Sequence, residues 1–208
     1  MRDTTVIIKT IGRKTLKAAI ASAKREGFKT IVISDGVNTS SQGANKFVKL
    51  GRQWGYYGGM AANVGAALAT TEFITFLDDD DEFAPGAGNI IRTKLQEQPE
   101  VDVWVGGVRF TQEINVQDTQ SGETMLQSRD LAMNSNLGVI PGNVAMPTYR
   151  TGVFSKIPFT DSVPEDQSNL TDFYHINACV LSGLTVGWFG GPIYLVRPSE
   201  EGVNGEGQ

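Results

Sequence analysis

Short apolar runs alternate with stretches of helical spacing through the first half of the chain. Thr4 to Lys9 and Lys29 to Ile33 are β-branched runs that predict two strands. Between them, Leu16, Ala19, Ile20 and Ala23 fall on one face of a predicted helix from Arg13 to Arg25, which Gly27 ends. Gln42 to Leu50 fits a helix and Gln53 to Tyr57 a short, weak strand. Met60 to Ala69 predicts a helix of small residues able to lie close against a sheet. Glu72 to Leu77 reads as a buried strand, Ala87 to Gln96 as a helix and Val101 to Val108 as a buried strand. Beyond these, Val108 to Val116 and Glu123 to Arg129 read as paired strands, and Asn136 to Met146 as a loop punctuated by glycine and proline. Tyr149 to Ser155 fits a short helix and Asn169 to Ser182 a longer one stopped at Gly183. Leu184 to Phe189 and Ile193 to Val196 are two short closing strands.

Strands alternating with helices imply an α/β fold with a central, mostly parallel sheet and right-handed crossovers. Its 208 residues suit a single domain over 1–208. Residues 1–108 form a predicted nucleotide-binding half, 109–199 a half for a second substrate, and 200–208 a frayed tail. The boundary near Val108 has no linker. Ligands of such sheets sit at the carboxyl ends of the strands, where Asp35 and the run Asp78 to Asp81 both fall.

Composition narrows the classes. The net charge of −5 argues against non-specific nucleic-acid binding. Cys179 is the only cysteine, which excludes an internal disulfide and a cysteine-rich zinc site and fits a reducing, cytoplasmic compartment. No 18-residue apolar run predicts a membrane helix, and the N-terminus lacks a signal-peptide core.

The acidic run changes the picture most. Four carboxylates, Asp78, Asp79, Asp80 and Asp81, at the tip of a buried strand repel one another and resist desolvation. Either the run is a solvated acidic turn or a hard cation such as Mg²⁺, Mn²⁺ or Ca²⁺ neutralises it. Neither G-x-x-x-x-G-K-[ST] nor a strand followed by G-x-G-x-x-G occurs. An EF-hand loop from Asp78 fails because Phe83 and Asn89 stand where Gly and Glu are needed. A cation held by carboxylates and bridging a diphosphate is the remaining reading, and that chemistry belongs to enzymes that use sugar nucleotides.

The run Phe76-Leu77-Asp78-Asp79-Asp80-Asp81-Glu82-Phe83-Ala84-Pro85 resembles the F-L-D-x-D-D-x-x-x-P signature of family 2 glycosyltransferases of the GT-A fold, which is Rossmann-like. Thr10-Ile11-Gly12-Arg13, with Leu16 and Ser22, resembles that family's first-strand motif. Val32 to Gly36, Gly58 to Asn63, Thr171 to Tyr174 with Gly183, and Pro192 to Arg197 resemble further family segments in the same order. The resemblance spans nearly the whole chain. It implies inverting transfer of a sugar from a UDP-sugar to an acceptor hydroxyl on a glycan, lipid, protein or nucleic-acid base, with Mn²⁺ or Mg²⁺ as cofactor; UDP-glucose is the donor expected only because it is a common one.

Roles follow residue by residue. Asp80 is the expected metal ligand. Asp78 is expected at the metal, at the ribose or at a metal-bound water, while Asp79, included in the donor-binding set, points the other way if strand geometry persists. Asp81 either orients the site or faces solvent. Asp35 is expected to accept from a uracil N3–H or to serve as a turn residue. Thr10 touches the base edge or pairs in the sheet, Arg13 reaches the diphosphate or starts a helix exposed, and Asn63 bonds the ribose or caps a turn. Asp172 is the expected general base, with Asp166 and Glu165 as runners-up, and its place in a first helical turn favours its ionised form. His175 either lines the acceptor site or is structural. Trp104 and Trp188 either stack on a sugar or belong to the core.

Three departures from the family pattern stand out: Ser34 for an acid, Ala62 for an arginine and Thr171 for a glutamate. Ser199 stands where some relatives place a histidine ligand, so none is assigned. The short chain without membrane helices fits a soluble, single-transfer enzyme rather than a processive synthase. Two other readings remain: a metal-dependent phosphohydrolase or nucleotidyltransferase, and a non-catalytic nucleotide- or glycan-binding module.

Overall fold

A computed structural model describes residues 3–110, 145–160 and 171–197. Every residue of the first strand, β1 (Thr4–Thr10), is buried, as expected of a central strand covered on both faces. Helix α1 (Leu16–Arg25) buries Leu16, Ala19, Ile20 and Ala23, the face its spacing predicts. It ends at Gly27, whose φ of 81° only glycine adopts readily. There, the Phe28 N–H returns to the Ala23 carbonyl at 3.1 Å. Strands β2 (Lys29–Ser34) and β3 (Lys46–Lys49) follow. A 3₁₀ turn at Tyr56–Gly58 leads into α2 (Gly59–Leu68). The small residues of α2 let it lie on the sheet: a Cβ at Gly65 would sit 2.3 Å from Cγ2 of Ile7.

Next come β4 (Phe73–Asp78), β5 (Glu82–Phe83), α3 (Ala87–Glu97) and β6 (Val103–Phe110). After these lie β7 (Ala145–Arg150), the single turn α4 (Thr151–Phe154), α5 (Thr171–Leu181) and β8 (Val186–Val196). Among the described residues, eight strands form one sheet in the order β3-β2-β1-β4-β7-β6-β8-β5. Pairings β1–β2, β1–β4, β2–β3 and β6–β8 are parallel, while β4–β7, β6–β7 and β5–β8 are antiparallel. The mostly parallel α/β architecture agrees with the sequence reading.

Five local expectations are corrected. The predicted helix at 42–50 is the edge strand β3, and the predicted strand at 53–57 is a bend and 3₁₀ turn. Tyr149 and Arg150 close strand β7 rather than opening a helix, and Ala145 and Met146 belong to that strand rather than to a loop. The two closing strands are one, β8. Strand β6 runs straight through Val108. The expected strands at 111–116 and 123–129 and most of the loop at 136–146 lie outside the described residues.

Two buttresses fix the acidic turn behind β4. Glu26, 8 % exposed, accepts from the N–H groups of Gly86 (3.2 Å) and Gly88 (3.0 Å), which open α3. It thereby satisfies donors that a helix start leaves unpaired. Ser22 Oγ accepts the Phe83 N–H at 3.0 Å, so α1 also holds β5.

Candidate active site

Strand register sets the site. Lys9 and Asp78 are cross-strand partners at the carboxyl ends of β1 and β4. Beyond Asp78 the chain turns, with the Asp81 N–H returning to the Asp78 carbonyl at 3.2 Å. This turn sends the four carboxylates to different tasks.

Asp79 points inward and is 1 % exposed. Its Oδ2 accepts from Thr10 Oγ1 (2.5 Å), the Ile11 N–H (3.1 Å) and the Arg13 N–H (3.3 Å), and its Oδ1 accepts from Arg13 Nη1 (2.6 Å). Thr10 Oγ1 in turn accepts from the Gly12 N–H at 2.8 Å. Thr10 and Asp79 therefore fold the 10–13 loop onto β4, and neither side chain faces the rim.

Asp78, Asp80 and Asp81 gather on the rim, each partly buried, with one oxygen apiece within 4.8 Å of the others. Burial first, then the Asp78 and Asp80 charges, push the Asp81 carboxyl up to about 8. Burial and Asp78 likewise raise Asp80, against the pull of Arg13, whose Nε lies 3.5 Å from Asp80 Oδ2. Three hard oxygen donors crowded on one rim, two of them with raised carboxyl pKa values, suit Mg²⁺, Mn²⁺ or Ca²⁺. Asp81, left open by the sequence between orienting and solvent-facing roles, belongs to this group and accepts the Arg197 N–H at 3.2 Å. Arg13 combines its bond to Asp79 with a half-buried position beside Asp80. Burial works against its charge, but the Asp79 bond and the surrounding carboxylates raise its pKa.

This strain has a measurable sign. Between pH 6.5 and 8 the folded protein retains a proton on Asp81 that the unfolded chain has already released, so folding stability falls as pH rises through that window. Thermal unfolding in EDTA should show the melting temperature dropping from pH 6.5 to 8, and saturating Mn²⁺ should flatten or reverse the drop.

Asp35 is 3 % exposed and accepts the Trp54 N–H on Oδ1 (2.9 Å) and the Gly55 N–H on Oδ2 (3.0 Å). Its carboxylate thus shapes the 53–57 bend. Asn63 makes a reciprocal pair with Phe159, Nδ2 donating to the carbonyl and Oδ1 accepting the N–H, each at 2.9 Å. It ties α2 to the segment after α4. Ser34 is buried and donates to the Val37 carbonyl at 2.7 Å. Ala62 is 1 % exposed beneath α2, which leaves no route to the rim for a longer side chain without repacking.

Asp172 is the second residue of α5. Burial pushes its carboxyl up to about 6, with Lys9 pulling it down and Asp78 pushing it up. Its place at the helix start favours the ionised form, and burial works against it. Glu165, Asp166 and Ser199 lie outside the described residues. His175, one turn on, is 4 % exposed among Tyr149, Phe154 and Phe159. Nε2–H donates to the Ile157 carbonyl at 2.7 Å, and Nδ1 pairs with the Tyr149 hydroxyl at 3.0 Å, so both ring nitrogens are taken up inside the protein. Burial lowers its pKa. Trp104 is fully buried and stacks on Phe189 at 5.1 Å, while Trp188 packs on Val105 and Ile176.

Lys9 was not singled out from the sequence, where it looks like the polar end of a strand. Its Nζ lies 2.9 Å from Asp78 Oδ1 and donates to the Tyr57 carbonyl at 3.0 Å. A lysine register-paired with the first acid of the run is the signal that exposes it.

Comparisons place this geometry among known proteins. The family profile described as Glycosyl transferase family 2 matches residues 5–157. The crystal structure of S. aureus TarS 1-349 superposes with a TM-score of 0.66 at 19 % identity, covering 94 % of this chain and 60 % of that one. The same protein in complex with UDP-GlcNAc gives 0.64 at 17 % identity, covering 96 % and 59 %. Its complex with UDP gives 0.63 at 18 % identity, covering 94 % and 60 %. The chain thus spans about three-fifths of the length of these structures. No curated protein sequence matches significantly. Among the described residues no helix is long and apolar enough to cross a membrane.

Proposed function

Given that the chain belongs to glycosyltransferase family 2 and is a glycosyltransferase of the GT-A fold, we propose that it moves a sugar from a UDP-sugar to an acceptor hydroxyl with inversion, using a divalent cation. The observation that carries this reading is the division of labour in the acidic turn: Asp79 braces the loop while Asp78, Asp80 and Asp81 converge on the rim. The UDP and UDP-GlcNAc complexes of TarS support the choice of donor class.

Asp80 and Asp81, with Asp78 beside them, would hold the cation. When bound it supplies positive charge to the departing diphosphate. Arg13, anchored by Asp79 and partly exposed, adds a second, fixed positive charge on the same side. Asp35 sets the floor of the base pocket through the Trp54–Gly55 backbone, and Trp54, 40 % exposed under Arg52 at 3.8 Å, offers a flat face there. Across the rim, Asp172 takes the proton of the acceptor hydroxyl as its oxygen attacks the anomeric carbon. The bond from that carbon to the diphosphate oxygen breaks, and its electron pair leaves with UDP. A carboxyl whose pKa sits near 6 is ionised at neutral pH and still basic enough for this task.

The test is a UDP-release screen with Mn²⁺ and with Mg²⁺ over UDP-glucose, UDP-galactose and their N-acetyl counterparts, in parallel with UDP calorimetry. UDP release with one donor is expected. Release of inorganic phosphate or pyrophosphate instead points to the hydrolase or nucleotidyltransferase reading. UDP binding without turnover across acceptors points to a binding module.

A further inference from the structure

Lys9 is only 9 % exposed, so its ammonium needs compensation inside the protein. It finds this in Asp78 Oδ1 at 2.9 Å and the Tyr57 carbonyl at 3.0 Å. The surroundings are fitted to it. A Cβ on Gly58 would stand 2.9 Å from Lys9 Cδ, so the neighbouring turn has to be glycine. Tyr57 takes φ 48° and ψ 29°, a left-handed conformation uncommon for an aromatic residue, and its carbonyl is the one that meets the ammonium. Burial works against the lysine's charge, yet the carboxylates of Asp78, Asp172 and Asp79 keep its pKa raised, so it is a cation in the folded protein.

The three rim carboxylates are therefore unequal. Asp78 already shares an oxygen with a full positive charge, and its side chain is 43 % exposed. Asp80 meets Arg13 only at 3.5 Å, and Asp81 accepts a backbone N–H. A dication drawn to the turn is repelled by the ammonium beside Asp78 and meets less opposition at Asp80 and Asp81.

We propose that Lys9 is a positioning residue that partitions the acid cluster: by pairing with Asp78 it keeps that carboxylate from the cation and leaves the cation to Asp80 and Asp81.

The test measures binding, not turnover. Mn²⁺ alone is titrated into wild type and Lys9→Met by calorimetry, with melting temperature as a check on folding. Lys9→Met should bind Mn²⁺ at least fivefold more tightly, because the repelling charge is gone and Asp78 is free to join. A merely structural lysine would weaken Mn²⁺ binding when removed. Unchanged or weaker Mn²⁺ binding overturns the proposal. If Lys9→Met does not fold, Asp78→Asn, Asp80→Asn and Asp81→Asn decide: the smallest loss of Mn²⁺ affinity is expected for Asp78→Asn, and the largest there would overturn it. UDP is titrated into wild type alongside: wild type that binds Mn²⁺ but no UDP sinks the donor reading, while the Mn²⁺ arm still judges the partition.

Discussion

Asp172→Asn is expected to cut turnover by about 10²–10⁴-fold, the range of a positioned general base, while UDP binding stays within about twofold. The carboxylate comes from the start of α5, a different element from the acidic turn that gathers Asp78, Asp80 and Asp81. The wild-type pH profile supplies the second half of the test. Burial holds the folded carboxyl near 6, so the base is protonated and idle below that value and ionised above it. Wild-type kcat should therefore climb with pH through an inflection near 6 and level off. The residual rate of Asp172→Asn should lack that limb. If the variant turns over at a near-normal rate, the base moves to Asp166 or Glu165.

Asp79→Ala is expected to cost about 3–5 kcal/mol, the range for stripping one partner from a buried ion pair. The side chain is 1 % exposed and receives four hydrogen bonds, two from backbone N–H groups and two from side chains of the 10–13 loop. Removing it strands those donors and leaves the Arg13 guanidinium facing Asp80 alone. Donor affinity should fall together with stability, because Arg13 loses the anchor that aims it at the diphosphate. Asp79→Asn, which keeps the shape but not the charge, should lose less of both. Urea unfolding and UDP calorimetry read the two effects. A stability change under about 1 kcal/mol would mean that the loop is held by something other than this carboxylate.

Much of the architecture was legible because the first half of the chain keeps clean periods. The buried face of α1 and the strands β1, β2 and β4 follow directly from them. The errors have local causes. Strand β3 is four residues at a sheet edge, only two of them half-buried, so period alone cannot tell it from a helix. The backbone at Trp54 and Gly55 gives its donors to Asp35 instead of a ladder, which makes a bend of what reads as a strand. Pro147 reads as a breaker, yet β7 carries it where the register with β6 slips between Trp104 and Gly106. The Gly-Gly-Pro at 190–192 splits β8 on paper, while irregular pairing with β6 carries the strand through it. At the site, the D-x-D signature was legible because its acids are consecutive residues at the end of one strand. That Thr10 turns to Asp79 while Asp35 and Asn63 spend their polar atoms on backbone depends on tertiary contacts up to 96 residues apart, which no spacing reveals. Lys9 escaped notice because its partner comes from another strand.

The direct β4–β7 pairing has one more consequence. On the proposed function, the donor-side strands and those beneath α5 belong to a single hydrogen-bonded lattice, so among the described residues no clamshell hinge runs between the two substrate sites. The span from the acidic turn to Asp172 is set when the chain folds. Evolving such an enzyme toward a new acceptor is then a matter of swapping the borders of a rigid bench, and not of retuning how two lobes swing.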